Sequence, residues 1–146
     1  MQSHKKCNLQ SSVYHKYLYK AMARILVVDD DVDILSVMEI LLSMKGFVVE
    51  VTTKGESTFS KIDSFQPDLI LLDVLISGTD GRVICKQLKI NEETRSIPVI
   101  MFSAHPGAAA AISDYGADDF IAKPFNVNVL LEKINEQLKL TNKYHS

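Results

Sequence analysis

The chain has 146 residues, 47% of them apolar, and a formal net charge of −2, which suits one globular domain with a sizeable core. The small net charge predicts no nucleic-acid partner, and no run approaches the roughly 18 apolar residues of a membrane span. Cys7 and Cys85 are too few and too far apart for a disulfide framework, which favours a reducing, cytoplasmic location.

The first 22 residues differ in charge from the rest of the chain. They contain four lysines and no acid, which leaves −6 for the remainder, and they lack the apolar segment of a secretory signal. We predict a disordered basic extension over residues 1–22, one folded domain over residues 23–140, and a tail over residues 141–146. A partner-binding arm, or a translation start placed upstream of the true one at Met22, are the alternatives for the extension.

From Arg24 onward, strand and helix patterns alternate about every ten to fifteen residues, as in repeated β–α units. Continuous apolar runs, such as the one from Leu69 to Leu72, are typical of parallel strands that are buried on both faces. The predicted strands cover residues 25–28, 47–51, 68–72, 97–102 and 118–122. The pattern therefore predicts an α/β fold with a parallel sheet.

Five helices alternate with these strands, and apolar spacing predicts the core face of four of them. Their predicted bounds are from Asp31 to Gly46, 56–65, from Asp80 or Gly81, 107–115, and from Val127 onward. The residues predicted to face the core are Ile34, Val37 or Met38, Leu41 and Met44 in the first helix, Phe59 and Ile62 in the second, Val83, Ile84 and Leu88 in the third, and Val127, Leu131, Ile134 and Leu138 in the fifth. Cys85 lies on the apolar face of the third helix, so we predict that it is a packing residue.

Polar side chains follow or end four of the strands. They are Asp29 and Asp30 after the first, Asp73 after the third, Ser103 after the fourth and Lys123 after the fifth. Because the carboxyl ends of parallel strands lie along one edge of a sheet, we expect these side chains to converge. Two carboxylates about 4 Å apart repel by roughly 4 kcal/mol at an effective dielectric of about 20, so a proton or a hard cation must neutralise the cluster. Three oxygen ligands match Mg²⁺.

Simpler interpretations exist for each of these residues. Asp31 or Asp33 is expected to cap the first helix, but capping needs only one acid and does not account for Asp73. Lys123 pairs with Asp73 or binds a phosphoryl oxygen, and a surface lysine in a loop is its simpler alternative. Ser103 is not expected to be a hydrolytic nucleophile, because no G-x-S-x-G pattern surrounds it.

Four segments occur in order between residues 23 and 140. They are ILVVDDD from Ile25, PDLILLD from Pro67 with Asp80-Gly81 after it, PVIMFSA from Pro98, and GADDFIAKPF from Gly116. Together they resemble the receiver domain of two-component response regulators. The resemblance implies a flavodoxin-like, doubly wound sheet of five parallel strands in the order 2-1-3-4-5, with helices on both faces.

The same resemblance implies a stand-alone phosphorylation switch, similar to a chemotaxis regulator, rather than an enzyme. A histidine kinase or phosphotransfer protein would be the phosphodonor, and a downstream effector protein or a phosphorylation-dependent homodimer would be the output, without direct nucleic-acid binding. Five β–α pairs use up the chain, so no output domain is expected. The resemblance also implies the roles of the site residues, with Asp73 as the phosphoacceptor. Asp30, Asp73 and the backbone carbonyl of Leu75 would bind Mg²⁺, and Asp29 would act through water. Lys123 would contact the phosphoryl group, and Ser103 with Phe120 would form the switch pair.

Two alternative functions stay open, and the chain differs from the family's usual sequence at three places. The alternatives are a phosphorelay intermediate and a degenerate receiver that binds partners without phosphorylation; a haloacid-dehalogenase-type phosphatase is not expected, because Leu75 stands where it needs a second acid. Ile76-Ser77 replaces a common Met-Pro pair, which we expect to loosen the loop without touching the carboxylates. The segment between Ser103 and Gly116 is shorter than usual, and Phe120 stands where tyrosine is common.

Overall fold

The computed structural model describes residues 22–105 and 107–145, and the following statements concern these residues. Except for Met22, the predicted basic extension lies outside the described residues, so its disorder stays a prediction. No helix in the described part of the chain combines the length and the apolar character that crossing a membrane requires.

Five parallel strands form one open sheet. The strands are β1 (Arg24–Val28), β2 (Val48–Thr52), β3 (Leu69–Asp73), β4 (Val99–Ser103) and β5 (Asp119–Ala122). Their order across the sheet is β2-β1-β3-β4-β5, and every neighbouring pair is parallel. The order 2-1-3-4-5 implied by the resemblance is therefore confirmed.

The register of the sheet brings the carboxyl ends of the strands together. Asp73, the last residue of β3, lies beside Phe102 of β4, and Ser103, the last residue of β4, lies beside the last residue of β5. Asp29 follows β1 directly, and Lys123 follows β5 directly. Because all the strands run in one direction, these side chains meet at one edge of the sheet.

Five helices cover the two faces of the sheet. They are α1 (Val32–Met44), α2 (Thr58–Phe65), α3 (Gly81–Ile90), α4 (Ala108–Ile112) and α5 (Val127–His145). A 3₁₀ turn over Gly55–Ser57 leads into α2, and another over Ser113–Tyr115 follows α4. The last helix continues beyond residue 140, where the sequence predicted a tail.

Side-chain caps and left-handed residues mark the ends of these helices. The carboxylate of Asp31 accepts hydrogen bonds from the backbone N–H groups of Asp33 and Ile34, so Asp31 is the cap of α1. Beyond the end of α1, Gly46 has a φ of +93°, a conformation that glycine adopts at little cost. The predicted end of that helix is therefore confirmed, and Asp29 and Asp30 are free of the capping role.

Side chains alternate between the two faces of the sheet and build two apolar clusters. The cluster beneath α1 and α5 contains Ile25, Val27, Leu35, Met38, Leu42, Leu130, Ile134 and Leu138. The cluster beneath α2, α3 and α4 contains Leu26, Val28, Ile62, Phe65, Ile84, Cys85, Leu88 and Ile112. Cys85 is fully buried, as predicted for a packing residue.

The exact core face of several helices was predicted wrongly. The side chains predicted to be buried but found exposed are Met44 at 79%, Phe59, Val83 and Val127, while of the alternatives Val37 and Met38 it is Met38 that is buried. Leu35, Leu42 and Leu130, which were not predicted to face the core, are buried. Each residue turns a helix by about 100°, so adjacent apolar residues allow more than one face and the pattern alone does not choose between them. Met38, Ile62, Ile84, Leu88, Ile134 and Leu138 are buried as predicted.

A short antiparallel hairpin that the sequence did not predict follows β3. Leu75–Ile76 pairs with Thr79–Asp80, and Ser77 and Gly78 form the turn between them. The φ of Gly78 is +73°, which favours glycine at this position of the turn. Two-residue strands are too short to show a periodic pattern, so the hairpin leaves no clear signal in the sequence.

Candidate functional site

Three aspartates meet at the carboxyl edge of the sheet. Asp29, Asp30 and Asp73 each offer a carboxylate oxygen, and these oxygens lie within 4.8 Å of one another. Asp29 is 0% exposed and Asp73 is 5% exposed, while Asp30 lies on the more open side of the cluster. The structure thus brings these three residues together as the strand pattern predicted. Their hard oxygen donors are of the kind that Mg²⁺ takes in proteins.

Lys123 completes the cluster as its cation. Its Nζ donates to Oδ2 of Asp29 at 2.8 Å and to Oδ2 of Asp73 at 3.1 Å. The backbone N–H of Lys123 donates to the carbonyl of Ser103 at 2.9 Å, and the ammonium lies 4.7 Å from the ring centre of Phe102. The peptide bond between Lys123 and Pro124 is cis. These contacts fix the lysine against two buried carboxylates, so the surface-lysine alternative is wrong.

The environment of the cluster shifts the pKa values of Asp73 and Asp30 in opposite directions. Burial and the nearby charge of Asp29 raise the pKa of Asp73 from 3.8 to about 6, although the charge and hydrogen bond of Lys123 lower it. Burial by itself lowers the pKa of Lys123, but its hydrogen bond to Asp29 and the charges of both acids raise that pKa overall. The pKa of Asp30 is lowered, chiefly by a hydrogen bond from the hydroxyl of Ser77.

Ser77 is a contact residue that the sequence analysis missed. Its hydroxyl donates to Oδ2 of Asp30 at 2.8 Å, and its backbone N–H donates to the same oxygen at 3.0 Å. The expectation that Ile76-Ser77 leaves the carboxylates untouched is therefore wrong, because the turn of the hairpin lies against Asp30. The only available signal was the departure from the common Met-Pro pair, and its consequence depends on how the hairpin folds.

Gly81 also contributes to the site through its lack of a side chain. A Cβ at this position would lie 1.9 Å from the backbone carbonyl oxygen of Asp73, which no packing can accommodate. The N–H of Gly81 donates to the carbonyl of Val74 at 2.8 Å. This close approach gives a physical reason for the Asp80-Gly81 pair, because any larger residue would push α3 away from the end of β3.

Of the remaining predicted site residues, Ser103 and Leu75 contact residues of the acidic cluster, and Phe120 does not pack among its polar groups. Ser103 is buried at the end of β4, and its Oγ accepts a hydrogen bond from the backbone N–H of His105 at 3.0 Å. Leu75 is 54% exposed, and its N–H donates to Oδ1 of Asp73 at 3.4 Å. Phe120 is partly buried and packs against the apolar cluster beneath α2, α3 and α4 rather than among the polar groups.

Comparison with known proteins identifies relatives of this arrangement. The family model of the response regulator receiver domain matches residues 25–135. The chain is 36% identical over 124 residues to the DNA-binding dual master transcriptional regulator RpaA of Synechocystis. The matched segment covers 84% of this chain and 52% of that protein. It is 33% identical over 120 residues to the response regulator ArlR of Staphylococcus saprophyticus, covering 81% of this chain and 53% of that protein. The chain thus spans about half the length of the curated relatives it matches.

Solved structures show the same architecture. A CheY-like response regulator receiver domain protein from Methanospirillum hungatei superposes with a TM-score of 0.78 at 29% identity, covering 84% of this chain and 98% of that one. A putative response regulator from Chloroflexus aurantiacus has a TM-score of 0.76 at 30% identity, covering 81% of this chain and 98% of that one. Both solved chains are matched over almost their whole length.

Proposed function

The chain belongs to the response regulator receiver domain family, and on that premise we propose that Asp73 accepts a phosphoryl group from a phosphohistidine. The donor would be a histidine kinase or a phosphotransfer protein, and the phosphorylated form would change the binding of a downstream effector protein. One observation carries the proposal: Asp73 is a buried carboxylate at the end of β3, bonded to Lys123 at 3.1 Å and next to two further acids. A degenerate receiver has no need for this contact.

The transfer would use an oxygen of Asp73 as the nucleophile. A new P–O bond forms to Asp73 while the P–N bond to the donor histidine breaks, and the released imidazole keeps the electron pair and takes up a proton. Lys123 already contacts Asp73, so its ammonium is placed to bind a phosphoryl oxygen once the group arrives. Most of the catalysis in such a transfer is positioning and charge neutralisation, which these residues supply.

Mg²⁺ is the proposed cofactor of this site. Asp30, Asp73 and the backbone carbonyl of Leu75 would bind it directly, and Asp29 would act through a water molecule. The fit rests on three carboxylate oxygens within 4.8 Å of one another, with a single ammonium to balance their charge. When bound, the cation neutralises the charge that develops on the transferred phosphoryl oxygens.

Ser103 and Phe120 would read out the modification. A phosphoryl group adds roughly −1.5 to −2 charges and three acceptor oxygens next to β4. Ser103 now accepts a hydrogen bond from the loop at His105, and its hydroxyl proton would turn to the new oxygens and draw that loop inward. Phe120 would then rotate within its partly buried position. Moving such an equilibrium from 1:99 to 99:1 takes about 5.5 kcal/mol, which two or three charge-assisted contacts largely supply.

The other proposed properties follow from the same chemistry. The acids and Lys123 would assist phosphoryl transfer to this chain and its later hydrolysis, so the chain is proposed as a signalling domain and not as an enzyme for a separate substrate. We propose residues 23–140 as the receiver domain, and a cytoplasmic location, which the low cysteine content supports. A phosphorylation-dependent homodimer is included among the proposed outputs.

Phosphorylation by a small donor tests the proposal directly. Acetyl phosphate with Mg²⁺ should add the mass of one phosphoryl group to the full chain. The variant Asp73→Asn should not be labelled, because an amide is a poor nucleophile. Asp63→Asn, which alters an exposed aspartate on α2, is the matched control and should be labelled like the wild type. Labelling of Asp73→Asn would place the acceptor elsewhere and contradict the proposal.

A further inference from the structure

The turn of the hairpin is fastened to the acidic cluster at a single oxygen. Ser77 uses both its hydroxyl and its backbone N–H on Oδ2 of Asp30, at 2.8 and 3.0 Å. The two residues lie 47 positions apart in the chain, so the contact is purely tertiary. A carboxylate with two donors on one oxygen has a fixed orientation, and its second oxygen remains available to another ligand.

The same contact also joins two segments that carry proposed ligands. Asp30 follows β1, while Leu75, whose carbonyl is a proposed ligand, belongs to the first strand of the hairpin. The pairing of Ile76 with Thr79 places Ser77 directly after that strand. Holding Ser77 against Asp30 therefore holds the Leu75 segment near the carboxylates, before any cation arrives.

We infer that Ser77 is a positioning residue for the cation site: its hydroxyl orients Asp30 and fastens the hairpin to it, and so tightens the binding of Mg²⁺. The inference rests on the proposed function, since the cation is the one proposed there. Groups that hydrogen-bond to metal-binding carboxylates orient these ligands, and their loss typically weakens metal binding by about tenfold to a hundredfold. In Ser77→Ala the backbone N–H bond remains, so we expect the lower end of that range.

Four variants of the full chain separate the hydroxyl from other effects. Ser77→Ala removes it, and Ser77→Thr retains it. Ser77→Val has nearly the shape of Ser77→Thr without the hydroxyl, so the pair stays informative if the alanine variant folds poorly. Ser60→Ala is the matched control, because the Ser60 hydroxyl is exposed on α2 and donates to the backbone of Ser57 at 3.0 Å.

Calorimetric titration with Mg²⁺ gives the deciding measurement, since the chain has no tryptophan to report binding by fluorescence. We expect Ser77→Ala and Ser77→Val to raise the dissociation constant about tenfold, and Ser77→Thr and Ser60→Ala to stay within about twofold of the wild type. A purely structural role for Ser77 would lower the stability of Ser77→Ala and Ser77→Val but leave their dissociation constants for Mg²⁺ unchanged.

Opposite results overturn the inference in distinguishable ways. An unchanged dissociation constant in Ser77→Ala and Ser77→Val means that the hydroxyl does not position Asp30 for the cation. Tighter binding in these variants means that Ser77 competes with the cation for Asp30. If the wild type itself does not bind Mg²⁺, the proposed cation site fails, and this appears before any variant is compared.

Discussion

The metal-free protein should lose stability between about pH 5 and about pH 7.5, and Asp73→Asn should remove most of that loss. Burial and the charge of Asp29 raise the pKa of Asp73 to about 6 in the folded chain, against an ordinary value of 3.8. Between these values the folded chain binds a proton that the unfolded chain does not, so a rising pH favours unfolding. Asparagine does not ionise, and its carbonyl oxygen can still accept the hydrogen bond of Lys123.

The size of the effect follows from the same pKa. A change from 3.8 to about 6 corresponds to about 3 kcal/mol of unfolding free energy over the whole titration. Asp73 is 5% exposed, so solvent screens its repulsion with Asp29 only weakly. About half of the loss occurs below pH 5, which leaves on the order of 1 kcal/mol between about pH 5 and about pH 7.5.

Urea unfolding followed by circular dichroism, with a chelator present, measures this difference at the two pH values. The result to compare is the pH-dependent loss in the wild type minus that in Asp73→Asn, because this subtraction removes the titration of other groups. Asp63→Asn on α2 serves as the control and should keep the wild-type loss. An equal loss in Asp73→Asn, or a wild type whose stability rises relative to it, would refute the assigned repulsion.

Four further predictions address the cation, the lysine, the hairpin and the buried thiol. With a dissociation constant of about 1 mM, Mg²⁺ at about 10 mM should raise the unfolding free energy by about 1.4 kcal/mol, and an unchanged urea midpoint would contradict the cation site. Without Mg²⁺, Lys123→Met should lower the unfolding free energy by about 3 kcal/mol or more, because two buried carboxylates lose their cation. The decrease should be smaller in an Asp73→Asn background, where only one of these carboxylates remains. Leu75→Asn should shorten the lifetime of the phosphorylated form several-fold, because an apolar side chain no longer hinders the attacking water. Intact-mass analysis over time measures this lifetime. Burial raises the pKa of the Cys85 thiol to about 11, so a Cys7→Ser protein should react with a thiol reagent only after unfolding.

Several features were readable from the sequence because they depend on local order along the chain. The apolar runs predicted the five strands, and the residue after each run predicted which side chains would share an edge. Asp29, Asp73 and Lys123 lie together for this reason, since a parallel sheet puts the ends of its strands on one side. The order of the strands came from the resemblance of whole segments, which periodicity alone does not supply.

The helix faces show where local order was insufficient. Phe59 and Val83 were predicted to be buried, but both are exposed, while Ile62 and Ile84 point into the core. A helix with apolar residues at neighbouring positions has alternative faces that differ by a small rotation. Only the fit of the helix on the sheet selects one of them, because packing density in the core decides which side chains have space.

The sequence by itself determined the class of fold, the strand ends and the set of charged groups at the site, because these follow from residue type and spacing. The tertiary structure alone decided the contact of Ser77 with Asp30 and the raised pKa of Asp73. Both depend on distances between groups that are far apart in the chain, and on how much water the fold removes from between them. Electrostatic energy varies with separation and burial, so these properties exist only once the strands and the hairpin have been brought together.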